Sequence, residues 1–235
     1  MPNTKFEYLN PLAIYKAKLG IPQEVLVQIC KTIDKDHLEK NAFATESDSW
    51  TGDVHGFSNL HERPEFFYLF NEINKYVWDY VKKIGVNTKY ISLYHTRSWA
   101  VRQSGSQAVN QHTHAQSHIS LVYYPRVPEC GKRFHVHYEN NPNEFCPALF
   151  SDTEHREKGL IDNDAPIGKT GKALKVDTDT LLIFPSKTLH SVPANEGNDS
   201  EVRYSISSDI ICTLKSGIND YEHLTPPTTK WREIN

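Results

Sequence analysis

The sequence predicts a mainly β fold, a jelly roll or barrel, with α-helices on its N-terminal side. Two observations support this prediction. From about residue 89, short runs of β-branched and aromatic residues alternate with turn residues. Before residue 89, apolar residues recur at intervals of three and four, as in amphipathic helices. Because 235 residues suffice for one large domain with a filled core, we expect a single domain over 1–235.

Two helices are predicted within the N-terminal region 1–88. Pro22 and Glu24 suit a first helical turn, and the apolar spacing after them continues to Ile33. A second helix is predicted over 64–83, where seven apolar or aromatic residues lie on one face. Gly85 then takes the usual position of a helix C-cap. This region is expected to support a β core over 89–213.

Eight strands are predicted in the β core. Three other stretches of the chain lack the apolar periodicity of a helix or a strand. The polar loop 46–53 is anchored by Trp50, which could pack in the core or border a pocket. The insertion 139–172 is too long for a hairpin loop and is expected to act as a lid or specificity loop. The tail 214–235 is irregular. The predicted strands are 90–94, 98–103, 118–124, 134–138, 173–176, 180–184, 190–192 and 202–212.

Composition narrows the class of protein. The formal net charge of -3 shows no basic excess, which argues against nucleic acid as a partner. The four cysteines are widely spaced and contain no C-x-x-C pair, so neither a zinc ribbon nor a redox dithiol is indicated. No signal-peptide core and no run of about 18 apolar residues is present, so a cytoplasmic protein without a membrane partner is expected.

A histidine cluster points to chemistry. His112 and His114 stand at i and i+2 before a predicted strand, and in an extended chain such residues project to the same side, so both can hold one metal ion. His118 follows closely. His190, on another predicted strand, can supply a third ligand. Arg203 lies 13 residues further on among apolar residues and can pair with a carboxylate in bidentate fashion. The pattern indicates iron and an organic acid.

These motifs resemble the non-haem iron(II) and 2-oxoglutarate dependent oxygenases, especially the bacterial and phage branch related to prolyl hydroxylases. The resemblance covers roughly 98–208. It implies a double-stranded β-helix, Fe(II), 2-oxoglutarate as co-substrate and O2, and most simply hydroxylation of a small molecule or peptide side chain. The motifs are Ser98-Trp99, His112-x-His114, Ser120-x-Val122-Tyr123-Tyr124, Phe184-Pro185, His190-Ser191-Val192-Pro193 and Arg203-x-Ser205-Ile206-Ser207.

The resemblance also implies residue roles. His112 and His190 would be iron ligands, and Arg203 with Ser205 would hold the distal carboxylate of 2-oxoglutarate, which Tyr124 would also reach. Three further residues are assigned to the surroundings of the iron or to the pocket. They are His118, Ser120 and Trp99.

The chain departs from the family pattern at one ligand. The usual motif is His-x-Asp or His-x-Glu, whereas His114 stands here in the acidic position, and no Asp or Glu occurs over 104–128. We favour a site of three histidines, which would leave the metal one unit more positive and favour anionic co-substrates. Two alternatives stay open: a distant carboxylate, such as Glu139 or Asp152, or participation of His118. The favoured ligands are His112, His114 and His190.

Other interpretations are weaker but specific. His135 and His137 share the i and i+2 spacing, although no Tyr-Tyr strand or proline-flanked partner accompanies them. A cupin-like dioxygenase could use three histidines without 2-oxoglutarate, in which case Arg203 would be dispensable. A third possibility is a non-catalytic β-barrel that binds a ligand or a partner.

Overall fold

Two antiparallel sheets form the core of the protein in a computed structural model. The structure describes residues 12–39, 49–138, 141, 143–146, 149–150, 152–162, 169–195, 201–218 and 224–234. The strands are β1 (Tyr15–Lys18), β2 (Trp50–Thr51), β3 (Ile91–Ser104), β4 (Val109–His112), β5 (Ile119–Arg126), β6 (Arg133–His137), β7 (Gly171–Lys175), β8 (Thr180–Pro185), β9 (His190–Val192) and β10 (Val202–Leu214). One sheet has the order β1-β8-β5-β10-β3-β2, and the other β4-β9-β6-β7.

The predicted mainly β architecture is confirmed, with differences in individual strands. The predicted strands 90–94 and 98–103 are one strand, β3, because the residues between them pair with β10 across a register shift at Asp209 and Ile210. Three strands, β1, β2 and β4, were not predicted. Each has at most four residues, and β4 contains Asn110 and Gln111, so none presents a long apolar alternation.

The helices cover the outer face of the six-stranded sheet. The first helix, α1 (Gln23–Glu39), extends six residues past the predicted end, and the second, α2 (Phe67–Lys83), follows a 3-10 turn over Pro64–Phe66. Gly85 adopts a positive φ of 92°, as expected for a residue after a helix end. Both helices bury their apolar faces against this sheet. Within the described residues, no helix is long and apolar enough to span a membrane.

A second apolar cluster lies between the two sheets. Alternation along β5 explains both clusters, since Leu121 and Tyr123 face the helices whereas Val122 and Tyr124 face the other sheet. Both faces of β5 are therefore covered, and its first seven residues are all buried. The candidate site lies at one end of the space between the sheets.

The two predicted pocket segments are partly described. Trp50 is 1% exposed and stacks on His55, so it belongs to the core, while Thr51 and Asp53 beside it line the main cavity. In the insertion 139–172, a short helix, α3 (Thr153–Glu157), is capped by an aspartate side chain. Residues 46–48 and parts of this insertion lie outside the described residues.

Candidate metal centre

Three histidines converge at the open end of the space between the sheets. His112 ends β4 and His190 begins β9, and these two residues are cross-strand partners. His114 follows two residues after β4. One ring nitrogen or the other of each histidine lies within 4.8 Å of the corresponding atoms of the other two. The structure thus brings together the three residues that the sequence analysis favoured.

Hydrogen bonds orient all three rings in the same way. Each Nδ1 faces an acceptor, so the Nδ1–H donates and the Nε2 lone pair stays free. The Nε2 atoms of His112 and His114 are 3.3 Å apart, which is the separation expected of two ligands on one cation. This donor set therefore fits a divalent transition metal. The Nδ1 acceptors are Asn110 O for His112 (2.7 Å), Asp209 Oδ1 for His114 (2.6 Å) and Thr188 O for His190 (2.8 Å).

Burial keeps at least two of these imidazoles neutral. It lowers the pKa of His190 to about 3, with the neighbouring histidines adding to the effect and the Thr188 carbonyl opposing it. Burial also lowers the pKa of His112, despite its bond to the Asn110 carbonyl. Neutral imidazole is the form that binds metals, so the pair does not have to lose protons at neutral pH.

Asp209 is a residue of the candidate site that the sequence analysis missed. It is 4% exposed, and its Oδ1 accepts hydrogen bonds from His114 Nδ1 (2.6 Å), Ser120 Oγ (3.0 Å) and Ser117 Oγ (3.1 Å). Burial alone would raise its pKa, but the hydrogen bonds from His114, Ser120 and Ser117 hold that pKa below the usual value. A carboxylate is thus present beside the three histidine rings, one imidazole away from the position that the motif of the resembled family gives it.

A signal for this residue exists in the sequence. Arg203, Ser205, Ser207 and Asp209 recur at intervals of two along β10, so they share one face of the strand. Ser205, Ser207 and Asp209 all line the main cavity. Four polar residues in a row on one face of a strand with several apolar residues on the other face indicate a site.

The cavity has a volume of about 520 Å³ and includes the histidine cluster. Trp99 forms one wall, since its ring stacks on His114 with centroids 5.6 Å apart. The Arg97 guanidinium lies over the Trp99 ring, 4.4 Å from its centroid, and is 3.6 Å from Asp53 Oδ2. Phe134 stacks on His190 at 5.2 Å. The predicted pocket residue Trp99 therefore contacts His114, one of the three candidate metal ligands, directly.

The predicted co-substrate residues lie deeper. Ser205 lines the cavity, and Arg203 shares its strand face but is only 2% exposed and lies outside the lining. The Arg203 N–H groups donate to the Gln103 side chain and to three backbone carbonyls. Burial lowers the pKa of Arg203, and no carboxylate among the described residues pairs with it.

Tyr124 completes this deep region. Its Oη is buried and, within the part of the chain that the structure describes, has no hydrogen-bond partner. Burial raises the pKa of Tyr124 to about 12, and the nearby Arg203 opposes that rise. An unpartnered hydroxyl beside a buried cation without an anion fits the remote carboxylate of a small organic acid.

Other predicted candidates lie away from the cluster. His118 is exposed and its Nδ1 accepts the Cys212 N–H at 3.0 Å, so it does not line the cavity. His137 Nε2 bonds to Ser191 Oγ at 2.8 Å instead of joining the three histidines. Asp152 caps α3, and Glu139 lies outside the described residues. Ser120 supports the cluster through Asp209.

Comparison with known proteins gives a family match and shared folds. Residues 97–209 match the family model described as "Putative 2OG-Fe(II) oxygenase". HygX from Streptomyces hygroscopicus, solved with nickel and 2-oxoglutarate bound, is 10% identical with a TM-score of 0.53, covering 90% of this chain and 86% of that chain. A Pseudomonas putida prolyl-4-hydroxylase is 10% identical with a TM-score of 0.51, covering 84% and 92%.

A third solved structure, an oxidoreductase of the 2OG-Fe(II) oxygenase family from Burkholderia pseudomallei, is 13% identical with a TM-score of 0.44. The match covers 65% of this chain, which spans 59% of that protein's length. No curated protein matches the sequence. The two similarities with TM-scores above 0.5 show a common fold, and the predicted double-stranded β-helix is confirmed.

Proposed function

We propose that this chain, whose residues 97–209 match the model of the 2OG-Fe(II) oxygenase family, is such an oxygenase and hydroxylates a small molecule or a peptide side chain. The observation that carries the proposal is the joint arrangement of two features. Three histidine rings converge with their Nε2 atoms free, and a buried arginine without an anion lies deeper in the same space between the sheets.

In this proposal, His112, His114 and His190 hold iron(II). When bound, iron(II) with 2-oxoglutarate and O2 supplies the oxidising power for hydroxylation of a C–H bond. The protein's part is to fix three nitrogen ligands on one side and to keep water from the centre. Phe134 and Phe184 pack on His190 with ring centroids 5.2 and 5.0 Å away, so this ligand is held in an apolar wall.

Arg203 and Tyr124 would hold the carboxylate of 2-oxoglutarate that is remote from the metal, with Ser205 beside them. A hydrogen bond from the Tyr124 hydroxyl would satisfy that buried group, and a charge-assisted bond from Arg203 would replace its longest present contact, the one to Pro193 O at 3.4 Å. The same residues would favour a diacid over a neutral or monoacidic compound, because only a diacid reaches both the metal and the arginine.

The cavity limits the substrate. Its volume of about 520 Å³ lies within the range of small-molecule sites, and the co-substrate would occupy a part of it. The remaining lining is mixed, with the exposed Val54 beside polar groups such as Asn110 and Gln116. This supports a small molecule or a single side chain of a peptide. The cytoplasmic location predicted from the sequence stays a prediction.

The proposal is tested by binding and turnover together. Wild-type protein loaded anaerobically with Fe(II) should bind 2-oxoglutarate in calorimetry, and in air it should convert 2-oxoglutarate to succinate, faster when a substrate is added. Arg203→Lys keeps a charge but loses the forked donor set, so 2-oxoglutarate affinity should fall by about 10-fold or more. The exposed Arg126 on β5 offers the matched control, because Arg126→Lys should leave the affinity unchanged.

A second function is favoured by the three-histidine donor set itself. A cupin-like dioxygenase with three histidine ligands would bind iron(II) and consume O2 without 2-oxoglutarate. No 2-oxoglutarate binding by the iron-loaded wild-type protein, together with O2 consumption that Arg203→Lys leaves unchanged, would replace the first proposal by this one. Metal binding without any O2 consumption would instead support a non-catalytic binding protein.

A further inference from the structure

We propose that Asp209 supplies, through His114, the negative charge that the acidic ligand of a His-x-Asp motif supplies directly. Asp209 would then be a positioning residue for the metal and not a ligand. The proposal rests on the proposed metal role of the three histidines, and it explains how the chain can replace an acidic ligand by a neutral one.

Hydrogen bonds hold the Asp209 carboxylate in a position where it orients the His114 ring. Its Oδ1 is 2.6 Å from His114 Nδ1, which directs the opposite nitrogen of that ring toward the other two histidines. Ser117 and Ser120 donate to the same oxygen, and Ser186 Oγ lies 2.7 and 2.8 Å from their hydroxyl oxygens. Three polar side chains thus donate to one buried carboxylate oxygen, and Ser186 holds two of them in place.

The net charge of the metal site explains why the contact between Asp209 and His114 matters. Three neutral imidazoles leave a divalent ion with its full charge of about +2, whereas two imidazoles and one carboxylate leave about +1. Asp209 returns the sum to about +1 from one ring away, and a carboxylate behind a metal-binding imidazole also makes that ring a better donor. The positive charge of Arg97 does not fully offset the negative charge of Asp209, because two carboxylates share it. The guanidinium is 3.8 Å from Asp209 Oδ2 and 3.6 Å from Asp53 Oδ2.

The contact could instead serve only the fold, because it ties β10 to the segment that connects β4 with β5. The two roles differ in what a charge-neutral substitution does. Asp209→Asn keeps the side-chain shape and an oxygen that can accept from His114, but it removes the charge. A role in the fold would survive this change better than a role at the metal.

The experiment measures Co(II) affinity of the purified full chain by calorimetry and visible absorption, without 2-oxoglutarate. Asp209→Asn should weaken Co(II) binding by about 10- to 100-fold. Asp179→Asn is the matched control, because Asp179 accepts from Tyr123 Oη (2.8 Å) and the Gly20 N–H (2.7 Å) outside the cavity lining. This control should leave Co(II) affinity unchanged. Circular dichroism of each metal-free variant checks its fold.

A charge transfer between the two positions gives the decisive test. His114→Asp made together with Asp209→Asn moves the carboxylate to the ligand position and leaves a neutral amide behind it. Co(II) affinity should return to within about 10-fold of wild type, and the absorption spectrum should change because a nitrogen ligand becomes an oxygen ligand. The double variant also decides the matter if Asp209→Asn alone does not fold, because it keeps one carboxylate in the site.

The experiment distinguishes failure of the proposed metal function from failure of the proposed role of Asp209. No Co(II) or Fe(II) binding by the wild-type protein would overturn the proposed metal function itself. Wild-type binding with equal affinity in Asp209→Asn, or a double variant that binds no better than Asp209→Asn, would overturn only the role of Asp209.

Discussion

Replacing Tyr124 by phenylalanine should stabilise the protein in the absence of 2-oxoglutarate. The side chain is 1% exposed and its hydroxyl has no hydrogen-bond partner among the described residues. Burying such a hydroxyl costs about 1–3 kcal/mol in protein mutants. Because the lost atom leaves only a small void, we expect the free energy of unfolding to rise by about 1 kcal/mol, which is ~2–4 °C in the unfolding midpoint of a chain of this size.

The same substitution should weaken 2-oxoglutarate binding. If the Tyr124 hydroxyl donates to the co-substrate carboxylate, its loss removes a hydrogen bond to a charged group, worth about 1.5–3 kcal/mol. The dissociation constant should therefore rise by about 10- to 100-fold. Stability and affinity thus change in opposite directions, which a general packing defect would not produce.

The assay pairs urea unfolding of the metal-free protein with calorimetric titration of 2-oxoglutarate into the Co(II)-loaded protein. Tyr123→Phe is the matched control, since the neighbouring Tyr123 faces the helices and its hydroxyl donates to Asp179 at 2.8 Å. The control should lose about 1 kcal/mol of stability and keep its affinity. A Tyr124→Phe protein destabilised by more than about 1 kcal/mol, or one with unchanged affinity, would refute the reasoning.

Three further predictions follow from other parts of the fold. Burial and the neighbouring His61 lower the pKa of His95 from 6.5 to about 4, so between these values the unfolded chain binds a proton that the folded protein does not. Stability should therefore fall as the pH decreases from 6.5 to 4, and urea unfolding of His95→Gln should show this loss reduced by up to about 3 kcal/mol; an unchanged pH profile would contradict it. In Gly131→Ala the new Cβ would lie 2.6 Å from Asn195 Oδ1, beside the carbonyl that accepts from Arg203, so 2-oxoglutarate affinity should fall about 10-fold while Co(II) affinity stays constant. Trp50→Ala should cost about 3–5 kcal/mol in thermal unfolding, whereas the same change at the 74% exposed Val54 should alter only substrate KM.

Much of the site was predictable because its residues stand in short motifs. The i and i+2 spacing of His112 and His114 places both on one side of an extended segment, and the structure brings His190 to them. The family resemblance is confirmed by the match over 97–209. The long strands β5, β8 and β10 were predictable as well, because β-branched and aromatic residues fill them.

The rest depends on contacts between distant segments. Asp209 acts on His114 across 95 residues, and nothing local to either residue shows that the middle of β10 passes beside the histidines. Trp50 lies in a polar segment, so its burial follows from packing against His37 and His55 and not from periodicity. The edge strand β4 is polar and only four residues long, and its pairing with β9 alone makes it a strand.

The pairing of β1 with β8 has a consequence for folding kinetics. In the six-stranded sheet, Lys18 of β1 pairs with Thr180 of β8, and Ile91 of β3 pairs with Leu214 of β10. Neither of these strand pairs can form from local contacts. Such non-local topologies fold slowly, because long loops must close before the pairing stabilises them. The candidate ligands are contributed by β4, β9 and the segment after β4, with Asp209 behind them on β10. Metal binding should therefore appear only in the last phase of refolding. An incompletely folded chain would lack the metal site, so its exposed side chains would not lie beside bound iron.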